Sequence, residues 1–245
     1  RHNLRIATDT RALRLRLSGR KATGVVCRRG KEAEETIGAR RAVVLSAGAF
    51  QSPQLLLLSG IGPSDQLQRH GIAVMHELPG VGQNLQDHVD FTLLYKAVSP
   101  HLFGFTATSL ARLPREIMRW RRHRTGLLTT NFAESGGFLK TDPALPRPDI
   151  QLHFVIGLVD DHARKMHFAT GYSLHICVLR PKSRGSVGLY DADPMSAPRI
   201  DPQYLLDADD MEALLKGVKL SRRIMDASAF QALAPTELYT ENVHD

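Results

Sequence analysis

The stretch RAVVLSAGAFQSPQLLLLSGIG, residues 41–62, constrains the fold more than any other part of the 245-residue chain. Ala42 to Leu45 is a compact apolar run that reads as a buried strand, and it runs directly into Ser46, Ala47 and Gly48. Small residues at the C-terminal end of a buried strand let a ligand approach the backbone, and in open α/β sheets ligands sit at that edge. Ser52 reads as an N-cap with Pro53 at the first helical position, predicting a helix through Ser59 that Gly60 stops. Ser64 then caps a second short helix ending near His70, with Gly71 just beyond it. Residues 79–88, PGVGQNLQDH, carry neither strand nor helix period and read as a glycine-punctuated loop.

The flanks set the fold class. Leu13, Leu15 and Leu17 alternate with Arg14 and Arg16, the period of a strand with one wet face. A turn at residues 18–20, a return strand from Ala22 to Arg28 and a shorter strand around Glu34 to Ile37 complete a β-meander. From Phe91 the character changes. FTLLYKAV is a strand, Pro114 to His123 is a basic helix, and Asp149 to Val159, Tyr172 to Leu179 and Ser186 to Tyr190 are three further strands. Asp207 to Asp226 is a helix with Met211, Leu214, Leu215, Val218 and Met225 along one face. The pattern predicts an α+β chain in two parts: a meander, strand–helix and loop segment over 1–90, then an antiparallel sheet with flanking helices over 91–245.

Composition narrows the function classes. With 42% hydrophobic and 23% charged residues the chain suits a globular domain rather than a disordered one. Cys27 and Cys177 are too few and too far apart for a disulfide framework or a zinc site and read as buried free thiols. None of the eleven histidines falls into a metal-ligand spacing. The longest apolar run, Leu55 to Leu58, is far short of the ~20 residues a spanning helix needs. Arg1 stands where an initiator Met would, without a signal-type apolar segment, which leads us to expect a native start upstream. The net charge is +7, and Arg115, Arg119, Arg121, Arg122 and Arg124 crowd one helix. Such a cluster could meet nucleic acid phosphates or an anionic membrane face, and a solvated helix surface explains it as well. No aromatic platform interleaves the arginines and no nucleic-acid-binding signature accompanies them, so nucleic acid is set aside.

Gly48-Ala49, Ser52-Pro53, Leu55-Leu56 and Ser59-Gly60-Ile61-Gly62 fall at the spacing of a signature of the glucose–methanol–choline (GMC) oxidoreductases, and the segment resembles that family. Gly80-Val81-Gly82, Asn84-Leu85 and Asp87-His88 resemble its flavin-covering loop, and NFAESGGFL (Asn131 to Leu139) and RPKSRGSVGL (Arg180 to Leu189) its substrate-domain segments. The likeness runs from Asn3 to about Leu238 and is greatest to the choline-dehydrogenase-like and aliphatic alcohol dehydrogenase branch.

The resemblance implies part of an FAD-binding domain joined to a substrate-binding domain. It implies oxidation of a primary alcohol, choline-like or aliphatic, to an aldehyde by hydride transfer to FAD. By resemblance Ala12 offers a backbone contact to adenine, Ala47 and Gly48 pass under the adenosine half, and Asn84, Leu85, Asp87 and His88 order the loop over the flavin. Loop-internal hydrogen bonding accounts for Asp87 and His88 equally well. Glu134 would border the substrate cavity, orienting a hydroxyl or facing a cation, though capping or pairing explains it too. Some choline-oxidising relatives have a His where Arg180 aligns, so Arg180 argues for a different alcohol. His153 and His175 alternate with apolar residues and read as hydrogen-bonded sheet residues.

The sequence contains no strand–GxGxxG–helix unit and no HPxGT-like segment, where the family carries its pyrophosphate loop and catalytic His; neither His2 nor His244 has that context. We therefore expect no catalytic residue in this chain, no turnover by it alone, and FAD held by the parent protein but not retained by the piece. The expected partners are an alcohol, an electron acceptor and a second copy meeting through apolar surface. The location is expected to be cytoplasmic, with peripheral contact at the inner face of a membrane. The alternative is a naturally truncated, cofactor-free module that buries an apolar face on a partner.

Overall fold

The computed structural model describes residues 2–161 and 164–239; His244 lies outside them. The chain divides into two compact units, Arg1–Asp87 with Ser183–Leu206 and His88–Lys182 with Asp207–Asp245. A single linear cut at residue 90 therefore misses the return of Ser183–Leu206 to the first unit, which strand pairing brings about.

The first unit opens on an antiparallel meander, β1 (Thr10–Ser18), β2 (Lys21–Arg29) and β3 (Glu34–Gly38). The alternation works as the leucines demand: Leu13 is buried while Arg14 is exposed and reaches Glu34 at 2.9 Å. Ala42 to Leu45 departs from expectation. It pairs with no strand among the described residues, and Val44 is 82% exposed. An apolar run supplies only the propensity; a strand also needs a neighbour to complete its hydrogen-bond ladder.

Helix α1 (Gly48–Leu58) starts four residues before the expected N-cap. Gly48 has φ of +84°, a conformation that suits a residue without Cβ, and turns the chain into the helix at once. Ser52 consequently lies within the first turns, where its hydroxyl accepts from the Ala47 N–H at 3.0 Å, and Pro53 falls inside the helix. The C-terminal end is as read: Gly60, φ +77°, donates its N–H to Leu57. Then follow β4 (Ile61–Gly62), α2 (Ser64–Arg69), which begins at Ser64 with Pro63 as its cap, and β5 (His76–Glu77), parallel to β4. Leu57, Leu67, Val81 and Leu189 form the apolar centre of this unit. The loop at 79–88 contains a short strand, β6 (Gln83–Leu85).

The second unit contains β7 (Asp90–Lys96), α3 (Ala107–His123), a 3-10 turn at Leu127–Thr129, β8 (Ala133–Leu139), β9 (Ile150–Val155) and β10 (Gly171–Val178). Helix α3 begins seven residues earlier than Pro114 because Thr106 caps it, accepting from the Ser109 N–H at 3.1 Å. The chain then re-enters the first unit with β11 (Gly185–Gly188), which pairs with β6, and β12 (Arg199–Asp201), which pairs with β11. Back in the second unit, α4 (Ala208–Met225), α5 (Ser228–Gln231) and β13 (Thr236–Leu238) complete the fold. The main sheet is antiparallel throughout, in the order β13-β7-β10-β9-β8.

Helix α4 covers one face of that sheet, against β10 and β9. Its buried stripe is Asp210, Leu214, Gly217, Ser221 and Met225, rotated from the expected one; Met211 and Leu215 are exposed. Gly217 decides the rotation, because Ile150 and Ile176 pack within 3.0–3.1 Å of where its Cβ would be. Asp210 is buried yet satisfied, accepting from the Lys182 N–H at 2.7 Å. Tyr172 is fully buried, with ring centroids of Tyr95, Phe154 and Phe230 at 5.2, 5.3 and 5.9 Å.

Candidate functional site

In the first unit a cavity of about 540 Å³ opens between the meander and α1, a size at which small-molecule sites occur. Ala12 and Ala47, both anticipated, line it, together with Thr10, Arg11, Arg28, Gln54 and Leu55. The register of β1 shifts between Ala12 and Arg14, a bulge that interrupts the ladder beside Ala12. Ser59 fixes β1 on α1: its hydroxyl accepts from the Leu15 N–H at 2.8 Å and donates to the Leu55 carbonyl. Nothing stands within 4 Å of where a Cβ on Gly48 would be, so the backbone there is open to close approach. Arg11 and Arg28 are direct cross-strand partners lining the same cavity. Like charges so placed repel, and an anionic group between them would offset the repulsion. The small residues and open backbone fit the adenosine half of a dinucleotide, and the two arginines make the cavity's rim positive.

The loop residues Asn84 and Leu85 line a second cavity of the first unit, about 320 Å³, with Ala49, Pro53, Gln86 and Val187. Gly82 has φ of +76°, and a Cβ there would stand 2.0 Å from the Val187 carbonyl oxygen. The Val187 N–H in turn donates to the Gly82 carbonyl at 2.6 Å, so backbone contact seats the loop on β11, and the buried Val81 side chain anchors it in the apolar centre. Asn84 also holds a positive φ, +63°. Asp87 accepts from the Tyr204 hydroxyl at 2.8 Å, and the His88 ring contacts the Leu179 carbonyl at 3.0 Å. Burial, and then the neighbouring Asp87 carboxylate, push the Tyr204 phenol upward.

In the second unit, the face of the sheet opposite α4 carries the polar residues of the strands. His175 on β10 stands opposite Thr92 on β7 and His153 on β9. The His175 Nδ1–H donates to Asp90 Oδ2 at 2.7 Å and lies 3.1 Å from the Thr92 hydroxyl. Asp90 Oδ1 accepts from the Ile176 N–H, and Cys177 Sγ lies 3.7 Å from it. Holding the proton on Nδ1 leaves Nε2 as the acceptor of the neutral ring. That atom is buried and has no hydrogen-bond partner among the described residues. Burial, and then the Asp90 charge, push the Cys177 thiol up to about 12. The alternation of β10 placed His175 on a face, but Asp90, 85 residues away, carried no local signal.

Glu134 is exposed at the bulged start of β8, where the register shifts between Ala133 and Ser135. Arg180 is not beside it. Val178 pairs with Ile150, and Ile150 with Leu139, which puts Arg180 at the far end of β8, roughly 17 Å of strand from Glu134. Its guanidinium donates to the Pro148 carbonyl and lines a cavity of about 390 Å³ with Asp149, Lys182, Asp209 and Lys216. The two residues therefore do not form one wall. Among the described residues no group of three or more His, Cys, Asp or Glu side chains is placed to hold a metal ion.

Two models, both of GMC oxidoreductases, match residues 1–90 and 181–245. The chain belongs to the GMC oxidoreductase family. It is 43% identical over 228 residues to an alcohol dehydrogenase (acceptor) of Pseudomonas putida, covering 93% of this chain and 41% of that protein. It is 38% identical over 238 residues to the mitochondrial choline dehydrogenase of Homo sapiens, covering 96% and 39%. Among solved structures it superposes on formate oxidase of Aspergillus oryzae with a TM-score of 0.81 at 26% identity, covering 91% of this chain and 44% of that one. Pyridoxine 4-oxidase of Mesorbium loti gives 0.77 at 26%, covering 96% and 42%. The chain thus spans about two fifths of the length of these GMC relatives.

Proposed function

We propose that the chain is the central part of an FAD-dependent alcohol dehydrogenase that oxidises a primary alcohol, choline-like or aliphatic, to an aldehyde. The observation that carries this is the 540 Å³ cavity lined by Ala12 and Ala47 beside the open backbone of Gly48, in a chain 43% identical to an alcohol dehydrogenase (acceptor). Ala12, Ala47 and Gly48 would hold the adenosine half, with Arg11 and Arg28 supplying positive charge. The seated loop bearing Asn84, Leu85, Asp87 and His88 would cover the flavin. When bound, FAD supplies the hydride acceptor.

On the alcohol side, the polar sheet face supplies His153, His175 and Thr92, and Glu134 stands at its edge strand. The Asp90 carboxylate accepts from the His175 Nδ1–H and so would orient the ring behind this face. Arg180 would act away from this face, against the Pro148 carbonyl, as a structural residue. The electron acceptor, a cytoplasmic location and contact with a membrane complete the reading.

Flavin content tests it. In the full-length gene product, Ala47→Leu fills the cavity without a backbone demand and should lower the FAD absorbance per protein. Gly38→Ala, with open space around it, should leave that ratio unchanged. Equal flavin content in both overturns the assignment. The 245-residue chain with added FAD should show no alcohol-dependent dye reduction, and measurable turnover would overturn that expectation.

A second reading rests on a different observation. Leu4, Ile6 and Val44 are 61%, 76% and 82% exposed, an apolar set that suits a cofactor-free module burying this segment on a partner or a second copy. A stable stoichiometric dimer that binds no flavin would favour it.

A further inference from the structure

The turn after β12 carries strain that nothing local explains. Gln203 and Leu205 hold φ of +50° and +58°, and among the described residues no other two non-glycine residues so close in the chain share the left-handed region. A Cβ there crowds the following carbonyl, and such strain persists only where the surroundings fix it. Tyr204, between the two, is what the turn presents. Its hydroxyl donates to the Asp87 carboxylate at 2.8 Å, 117 residues away in the chain.

The small sheet of the first unit shows what this bond spans. β6 and β12 each pair antiparallel with β11, one on either side, and so run parallel to each other. Leu85 pairs with Gly185 and Asp201 with Ser186, which brings the C-terminal ends of both outer strands to the start of β11. Asp87 follows β6 and Tyr204 follows β12, so the hydroxyl joins two strands that share no ladder. Gly185 makes room: a Cβ on it would stand 2.2 Å from the Asp201 carbonyl oxygen and 2.6 Å from the Pro202 Cα. Tyr204 and Leu206 are exposed, so the turn adds little to the apolar centre of the unit. What it delivers is a hydroxyl aimed at the loop.

The loop at 79–88 is thereby held at two points. Gly82 is seated on β11 by the Val187 N–H, and Asp87 is tied to Tyr204. Between them lie Asn84, Leu85 and Gln86, all three in the wall of the cavity of about 320 Å³. We infer that Tyr204 is a positioning residue for the flavin-covering loop, its hydroxyl clasping Asp87 so that residues 84–86 stay closed over a bound flavin dinucleotide. The inference rests on the FAD-dependent reading of the chain and goes beyond it. It assigns part of the hold on the cofactor to a residue that lines none of the three cavities. Without the clasp the loop opens on its C-terminal side, and the cofactor leaves sooner.

Tyr204→Phe in the full-length gene product removes the hydroxyl and keeps the ring. Two rates report on the clasp: flavin release, followed by the rise in flavin fluorescence on dilution, and limited proteolysis within residues 79–88. Both should rise on the order of fivefold, the scale of one hydrogen bond, while the Tm of the flavin-free protein falls by no more than ~2 °C. Asp87→Ala should also speed release, and adding Tyr204→Phe to it should bring no further acceleration, because the two groups act as one contact. Gln203→Gly, which relieves the left-handed Cβ and leaves the hydroxyl, should release flavin at the unaltered rate. Unchanged release in Tyr204→Phe, additive effects in the double variant, or faster release in Gln203→Gly overturns the inference and leaves the FAD-dependent reading standing. So does a drop of several degrees in the Tm of Tyr204→Phe, which would make the ring a packing residue. Full-length protein that holds no flavin overturns both.

Discussion

Gly82→Ala probes whether the loop at 79–88 is held by its backbone. Gly82 has φ of +76°, and an added Cβ would stand 2.0 Å from the Val187 carbonyl oxygen. Placing Ala in the left-handed region costs about 1–2 kcal/mol. Because the obstruction is backbone, the loop must move off β11 and lose the Val187 N–H to Gly82 carbonyl hydrogen bond, a further ~0.5–1.5 kcal/mol. The sum is about 1.5–3.5 kcal/mol, lowering the Tm by ~3–7 °C at roughly 2 °C per kcal/mol for a chain this long. Gly80, two residues earlier, has open space around it and no positive φ, so Gly80→Ala should be neutral or slightly stabilising. Thermal unfolding of the pair, with limited proteolysis of the loop alongside, separates the effects. Equal Tm values, or unaltered cleavage in Gly82→Ala, would show that the loop is not seated on β11.

Ser59→Ala leaves the Leu15 N–H without its partner in a part-buried site and should cost about 1–3 kcal/mol, measured by urea unfolding; a neutral change would mean that water replaces the hydroxyl. Burial holds both cysteine thiols above their ordinary range, Cys177 at about 12, so neither should react with a thiol reagent at pH 8 until the chain is denatured. Rapid labelling of the folded protein would contradict that. Asp160 is pushed up by burial, but hydrogen bonds from Tyr239 and His167 and the charge of Lys165 pull harder, so it titrates below its ordinary 3.8. A depressed carboxylate contributes stability that is present above 3.8 and lost as pH falls through the folded value. Asp160→Asn should therefore flatten the loss of stability below about pH 4, and an unchanged acid limb would refute the assignment.

Local signals carried the elements whose causes are local. The meander follows from leucine alternation, the end of α1 from Gly60, and the end of α2 from Gly71. The strands near Asp149, Tyr172 and Ser186 appeared where apolar alternation placed them. The departures share one kind of cause. Gly48 began α1 early because its positive φ was invisible in composition, and Thr106 captured the start of α3 from eight residues ahead of Pro114. Gly217 turned α4 because two isoleucines from other strands needed the space.

The sequence by itself determined the family, the α+β class and the small-residue path through Ala47 and Gly48, because these rest on spacing and on steric limits carried by single residues. Only the tertiary structure decided that Asp90 would orient His175, that Ser183–Leu206 would return to pair with β6, that Glu134 and Arg180 would stand at opposite ends of β8, and that α3 would be left bare. Each of those is a contact, or the lack of one, between residues far apart in the chain. Propensity and periodicity say which face a side chain takes; only folding says what waits on that face.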